Sequence, residues 1–174
     1  MAAGRGDTER PVDATEQVVV ALLAASRAMV AVTARSIARL DANLTLPQYR
    51  MLVVLASRTQ RAVDLAEELD ITPSTVSRAC DRLVRRGLVQ RFHRPDDRRA
   101  TWAALTDDGK ELIGAVMRQR RAEVLRLIAG TSIGAPQVVA AALDSFVQAA
   151  GELPEQEWWQ RWEASSDFDG QATL

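Results

Sequence analysis

The chain has 174 residues, 47% of them hydrophobic, and a formal net charge of −1. That is enough apolar material for one core, and a single cysteine rules out an intramolecular disulfide, which fits a reducing, cytoplasmic setting. The averaged charge would argue against a nucleic-acid partner, yet it conceals a basic stretch at 73–99 (eight Arg, three Asp) and an acidic one at 151–174 (six acids, one Arg).

Residues 1–12, MAAGRGDTERPV, are small and polar, predict a disordered arm, and lack the apolar stretch of a signal peptide. From 14 to 41 an Ala-rich segment without Pro or Gly carries Val18, Val19, Leu22, Leu23, Met29, Val30, Ile37 and Leu40, which predicts one long helix. No run is expected to reach the ~20 apolar residues of a membrane span.

The next helical signal is Ala62 to Asp70, with Val63, Leu65, Ala66 and Leu69 at helical spacing. After a short turn, Thr72 is an N-cap, Pro73 suits the first helical position and Gly87 the end. Between them, at 100° per residue, Pro73, Val76, Ala79, Cys80, Leu83 and Val84 fall in one arc. Ser74, Thr75, Ser77, Arg78, Asp81, Arg82, Arg85 and Arg86 fall in the other. A merely solvated face usually mixes Glu with Lys; four Arg, three hydroxyls and one Asp suit phosphates and base edges. Asp81 is expected to pair with Arg78 or Arg85 along the helix. A short helix, a turn and a basic helix predict a helix-turn-helix.

Leu88 to Arg94 and Ala100 to Leu105 have strand character and flank Pro95 to Arg99, whose Pro and Asp residues favour a turn. This predicts a two-stranded wing with a basic tip, placed to reach the flanking backbone or minor groove. Thr106 then caps a second long helix with Asp107 and Asp108 in its first turn, Gly130 and Gly134 mark a break, and Pro136 begins a third. In the tail ELPEQEWWQRWE, Trp158 and Trp162 share a helical face that could pack on a partner subunit or on the first helix. The long helices expose more apolar surface than a small winged domain can cover, and a second copy would bury it.

Three runs, LTLPQYRMLVVLA (44–56), DLAEELDITPSTVSRACDRLVRRGLVQR (64–91) and DDRRATWAALTDDG (96–109), resemble the MarR family of winged-helix transcriptional regulators. The shared marks are a P-S-T-V-S-R helix start, a G-L-V-x-R exit, a D-x-R at the wing tip and an L-T-x-x-G return to helix. The resemblance implies a mainly α fold with a small β wing. A disordered arm (1–12) would precede an N-terminal dimerisation helix (13–45), a winged helix-turn-helix DNA-binding domain (46–106), C-terminal dimerisation helices (107–164) and a flexible tail (165–174). It implies a homodimer on a pseudo-palindromic operator in double-stranded DNA, with half-sites about one helical turn apart. Ser74, Thr75, Ser77 and Arg78 would be major-groove contacts and Arg82 a phosphate or base contact. Asp97 would position the wing, Arg99 would enter the minor groove, and Arg94 and Arg98 would add backbone contacts.

Many members of that family release DNA when a small aromatic or phenolic acid binds between the dimer helices and the winged domain. Met29, Thr33, Tyr49, Arg50 and Trp102 are the candidates for such a site, although each also fits plain core or surface. The family's peroxide sensors carry their cysteine in the first helix, where this chain has none. Cys80, on the inward face of its helix, reads as a small hydrophobe; redox sensing through it, and a protein-interaction module without an effector, are the alternatives. His93 reads as a neighbour of the DNA backbone or a solvated residue. No His/Cys cluster, glycine-rich phosphate loop or Ser/His/Asp set points to a metal, a cofactor or an enzyme.

Overall fold

Side-chain caps set where four of the helices begin. The computed structural model describes residues 13–168 except 42 and 96, and excludes the side chains of 97–99 and 165–168. Helix α1 (Ala14–Leu40) starts at Asp13, whose carboxylate accepts from Thr15 N. In α2 (Leu46–Ser57) Thr45 Oγ1 accepts from Gln48 N and Gln48 Oε1 accepts from Thr45 N, a reciprocal capping box with Pro47 in the first turn. Helix α3 (Ala62–Glu68) leads through Asp70, at φ 52°, into α4 (Pro73–Arg85). Asp tolerates that left-handed position better than most residues.

Thr72 Oγ1 accepts from Thr75 N at the start of α4. At its end Leu88 N donates to Leu83 O (3.0 Å) and Gly87 N to Val84 O (2.9 Å), a Schellman motif with Gly87 at φ 72°. The predicted wing is part of a three-stranded antiparallel sheet in the order β1 (Gln60–Arg61), β3 (Asp97–Leu105), β2 (Val89–Arg94). The register runs from Val89 opposite Leu105 to Arg94 opposite Asp97, with an irregularity between Phe92 and Arg94. Strand β3 therefore starts at Asp97, three residues before the expected Ala100, and the reversal is tighter than Pro95 to Arg99. Strand β1 is too short to leave a period-two signal, and only its pairing with Trp102 and Ala103 reveals it.

Helix α5 (Asp107–Ala129) starts at Thr106, whose Oγ1 accepts from Gly109 N (3.1 Å). It is followed by α6 (Pro136–Ala149) and α7 (Glu155–Phe168). The core joins Leu52 of α2, Leu65 of α3, Val76 and Leu83 of α4, and Ile113 and Val116 of α5, all fully buried. Helix α1 lies along α5, where Glu123 takes Arg35 Nε (2.7 Å) and Arg39 Nη1 (3.4 Å). The hydrogen bond from Arg35 holds the Glu123 carboxyl below its ordinary value. Its contribution to stability is thus present above the usual glutamate range and is lost as acid takes the pH through that lowered value.

Two expectations change here. Helix α7 lies on α2 of its own chain rather than on α1, with Trp158 Nε1 donating to Val53 O (3.1 Å). And α1 is long and apolar enough, by length and composition, to cross a membrane, because residues 17–34 contain a single charge, Arg27, within an alanine-diluted run. Only its C-terminal half is anchored, through Val32, Thr33, Ser36 and Ile37. Val18, Val20, Leu23 and Val30 of α1 stand exposed, as do Leu125 and Ile128 of α5 and Val138, Leu143 and Phe146 of α6, a helix with no buried residue.

A Cβ on Gly109 would lie 2.1 Å from the carbonyl oxygen of Leu88, whereas one on Gly134 meets nothing within 4 Å. Gly109→Ala should lower stability by at least about 1–3 kcal/mol, since backbone must move. Gly134→Ala should leave it within about 1 kcal/mol. Urea denaturation of both variants measures the contrast.

Candidate nucleic-acid interface

The outward face of α4 is open along its length. Val76, Ala79, Cys80 and Leu83 point into the core, while Ser74, Thr75, Ser77, Arg78, Arg82 and Arg85 are exposed. The inward arc is narrower than the periodicity suggests, because Pro73 and Val84 are exposed too. At the N-terminus the Thr72 hydroxyl lies 3.1 Å from Ser74 Oγ and 2.9 Å from Thr75 Oγ1, so a hydroxyl cluster crowns the end where backbone N–H groups favour anions. Among the described residues Arg78, Arg82 and Arg85 form no ion pair.

The two other charges of the predicted polar face are engaged elsewhere. Asp81 pairs with Arg91 of β2 (2.7 Å) rather than with Arg78 or Arg85, and Arg91 also donates to Ser77 O (3.2 Å). Intrahelical spacing is blind to a strand folding back beside the helix, which is why Arg91 escaped the sequence reading. Arg86 pairs with Asp41 at the C-cap of α1 and donates to Asn43 O (3.4 Å), so it joins two elements.

On the wing, Arg94 is half-buried, with its guanidinium 3.6 Å from the centroid of the Trp102 ring and Nη2 donating to Thr59 Oγ1 (2.8 Å). It stiffens the base of the hairpin. His93 Nδ1 lies 3.0 Å from Ala100 O. The side chains of Asp97, Arg98 and Arg99 lie outside the described residues, as do the arm at 1–12 and the end of the chain from 169.

Away from α4, Met29, Thr33, Tyr49 and Arg50 line one cavity of about 370 Å³ between α1, α2, α5 and the α6–α7 junction. Trp102, the fifth candidate, is not among its residues; it stacks under Arg94. Burial pushes the Tyr49 phenol above its ordinary value, against the opposing effect of Arg120, so the hydroxyl stays neutral. Tyr49 Oη donates to Met117 Sδ (3.1 Å) and accepts from Arg120 Nη1 (3.1 Å). Arg120, three residues after Met117 on α5, was not singled out from sequence, since one more Arg in a chain whose 22 basic residues include a single Lys carries little signal.

A helix, a turn, a second helix on which Arg78, Arg82 and Arg85 form no ion pair among the described residues, and a hairpin beside it define a winged helix-turn-helix protein. A model of the MarR family matches residues 44–101. RV1404 from Mycobacterium tuberculosis has a crystal structure 36% identical to the chain, with a TM-score of 0.75, over 82% of this chain and 98% of that one. Sco3205, a MarR family transcriptional regulator from Streptomyces coelicolor whose structure is a complex with DNA, is 28% identical, with a TM-score of 0.57, over 86% and 95% of the two chains. The uncharacterized HTH-type transcriptional regulator YhbI of Bacillus subtilis is 38% identical over 41% of this chain and 47% of its own length, so that match spans about half of the relative. The chain belongs to the MarR family, whose members are regulators rather than enzymes.

Cys80 is fully buried, with Sγ 3.6 Å from Met51 Sδ, and burial pushes its thiol up. Iodoacetamide at neutral pH should therefore label the native protein at least about a hundredfold more slowly than the protein in denaturant. Rapid native labelling, followed by mass spectrometry, would show that the thiol is reachable.

Proposed function

We propose that the protein is a cytoplasmic DNA-binding transcriptional regulator that acts as a homodimer on an inverted-repeat operator. It represses where the operator overlaps a promoter and is released by a small aromatic acid. The observation that carries this reading is the outer face of α4, where Arg78, Arg82 and Arg85 lack carboxylate partners among the described residues and sit beyond a cluster of hydroxyls. Guanidinium groups without ion-pair partners among the described residues, on an exposed helix, match phosphate and guanine edges, and the structure of Sco3205 as a complex with DNA supports a DNA partner. In this reading Ser74, Thr75, Ser77 and Arg78 supply base contacts and Arg82 and Arg85 grip the backbone. Arg99 serves the minor groove with Asp97 positioning the wing, and Arg98 adds a phosphate contact.

A second copy of the chain is the occupant proposed for the exposed apolar faces of α1, α5 and α6. A 14-residue helix with Val138, Leu143 and Phe146 in water gains several kcal/mol when covered, and two-fold pairing would place two α4 helices on successive major grooves, about 34–36 Å apart. The cavity behind α2 is the effector site of this reading. Its Arg120 meets the neutral Tyr49 hydroxyl and Met117 sulfur and has no carboxylate partner among the described residues, a vacancy that suits a carboxylate ligand.

Gel shifts at several salt concentrations, with the DNA upstream of the protein's own gene and with random DNA, test the reading. Arg78→Ala should cost about 1–3 kcal/mol on the operator alone, while Arg98→Ala should weaken both DNAs alike and reduce the salt slope by about 1. Equal losses on both DNAs for both variants would overturn that division of roles. Phe146→Asp should halve the mass in sedimentation equilibrium and abolish operator binding, and a variant that stays dimeric removes α6 from the interface.

A further inference from the structure

We infer that the cavity between α1, α2, α5 and α7 takes a small aromatic zwitterion, with a carboxylate at one end and an ammonium group at the other, in preference to a plain aromatic acid. This rests on the reading of that cavity as an effector site. The argument comes from the charges around it. Two Arg and three Glu line the cavity: Arg50, Arg120, Glu68, Glu152 and Glu155. Arg50 Nη1 pairs with Glu152 Oε1 (2.8 Å), and Glu68 Oε2 pairs with Arg58 Nη2 (2.7 Å). What is left is one charge of each sign, Arg120 and Glu155, neither of which forms an ion pair among the described residues.

The two come from different walls. Arg120 projects from α5; among the described residues Nη1 donates to the Tyr49 oxygen (3.1 Å) and the Met117 sulfur (3.2 Å), and its Nε is buried with no hydrogen-bond partner. Glu155 stands in the first turn of α7 and, among the described residues, accepts from Trp159 Nε1 alone (3.2 Å). Both residues line the cavity together with Tyr49, and their charges act on its hydroxyl in opposite directions. They lie farther apart than direct ion-pair contact, with Met29, Val53, Leu153 and Trp158 supplying apolar wall.

A ligand with a single negative charge gains Arg120 but meets Glu155, and a ligand with a single positive charge meets the reverse. A molecule carrying both ends makes a charge-assisted hydrogen bond at each, and about 370 Å³ holds one aromatic ring with short substituents. The acidic partner is supplied by α7, so the preference depends on this helix lying on α2 of its own chain.

Isothermal titration of the full-length protein with the 3- and 4-isomers of (aminomethyl)benzoate, against the matching ethylbenzoates, tests this. The better zwitterion should bind at least about tenfold more tightly than its uncharged-ended isostere. Glu155→Gln, at an exposed position and checked for an unchanged melting temperature, should erase that preference while leaving ethylbenzoate binding equal or tighter. Arg120→Gln should weaken both acids. If ethylbenzoate binds as tightly as the zwitterion, or if Glu155→Gln keeps the preference, the zwitterion assignment falls and the effector cavity stands. If neither compound binds, both fall together.

Discussion

The backbone of Leu88 joins three elements at once. Its N–H closes the end of α4 on Leu83 O, its carbonyl accepts from Thr106 N (3.2 Å) at the start of α5, and that oxygen stands where a side chain on residue 109 would begin. Immediately after it the chain becomes β2. The exit angle of the basic helix, the launch of the wing and the first turn of the long α5 are therefore set by one backbone unit, and the Thr106 hydroxyl, donating to Gly87 O, ties the same corner again. Fully buried Leu83 and Val89 to either side leave the corner little room to relax.

How much of this could be read in advance follows from how local each signal is. The cap at Thr72, the Pro73 start, the Gly87 stop and the Thr106 cap are contained within a few residues, and all are present as expected. The buried sulfur of Cys80 follows from period alone. Helix α2 carried an equally local capping box at Thr45 and Gln48, yet it entered the sequence reading only as part of a family motif. The pairing of Asp81 with Arg91, the stacking of Arg94 on Trp102 and the docking of Trp158 on Val53 depend on which elements meet, information that spacing along one helix does not hold. Four of the five cavity candidates meet in one place because α1 and α2 run past each other; Trp102 lies apart from them, because an aromatic residue in a wing strand has two faces and the sequence does not tell which is covered.

The electrostatics of the basic region are sorted by these meetings. Of the Arg on and beside α4, Arg86 and Arg91 are committed to acids within the fold, and Arg94 to an indole. The three left over among the described residues, Arg78, Arg82 and Arg85, recur three to four residues apart and so form a stripe along α4. Neutralising Asp81, the single acid of α4, from the strand side removes a charge that would have repelled a phosphate there, without spending a cation of the stripe. A net charge of −1 for the whole chain is thus compatible with a locally positive surface, because the screening length at physiological salt is only about 8 Å.

The ion pair between Arg86 and Asp41 bridges the C-terminal caps of α4 and α1. It bypasses the apolar core that otherwise separates them. The two helix ends are thereby fastened by a charged clasp, so the heading of the arginine stripe is referenced to the long α1 as well as to the corner that closes α4.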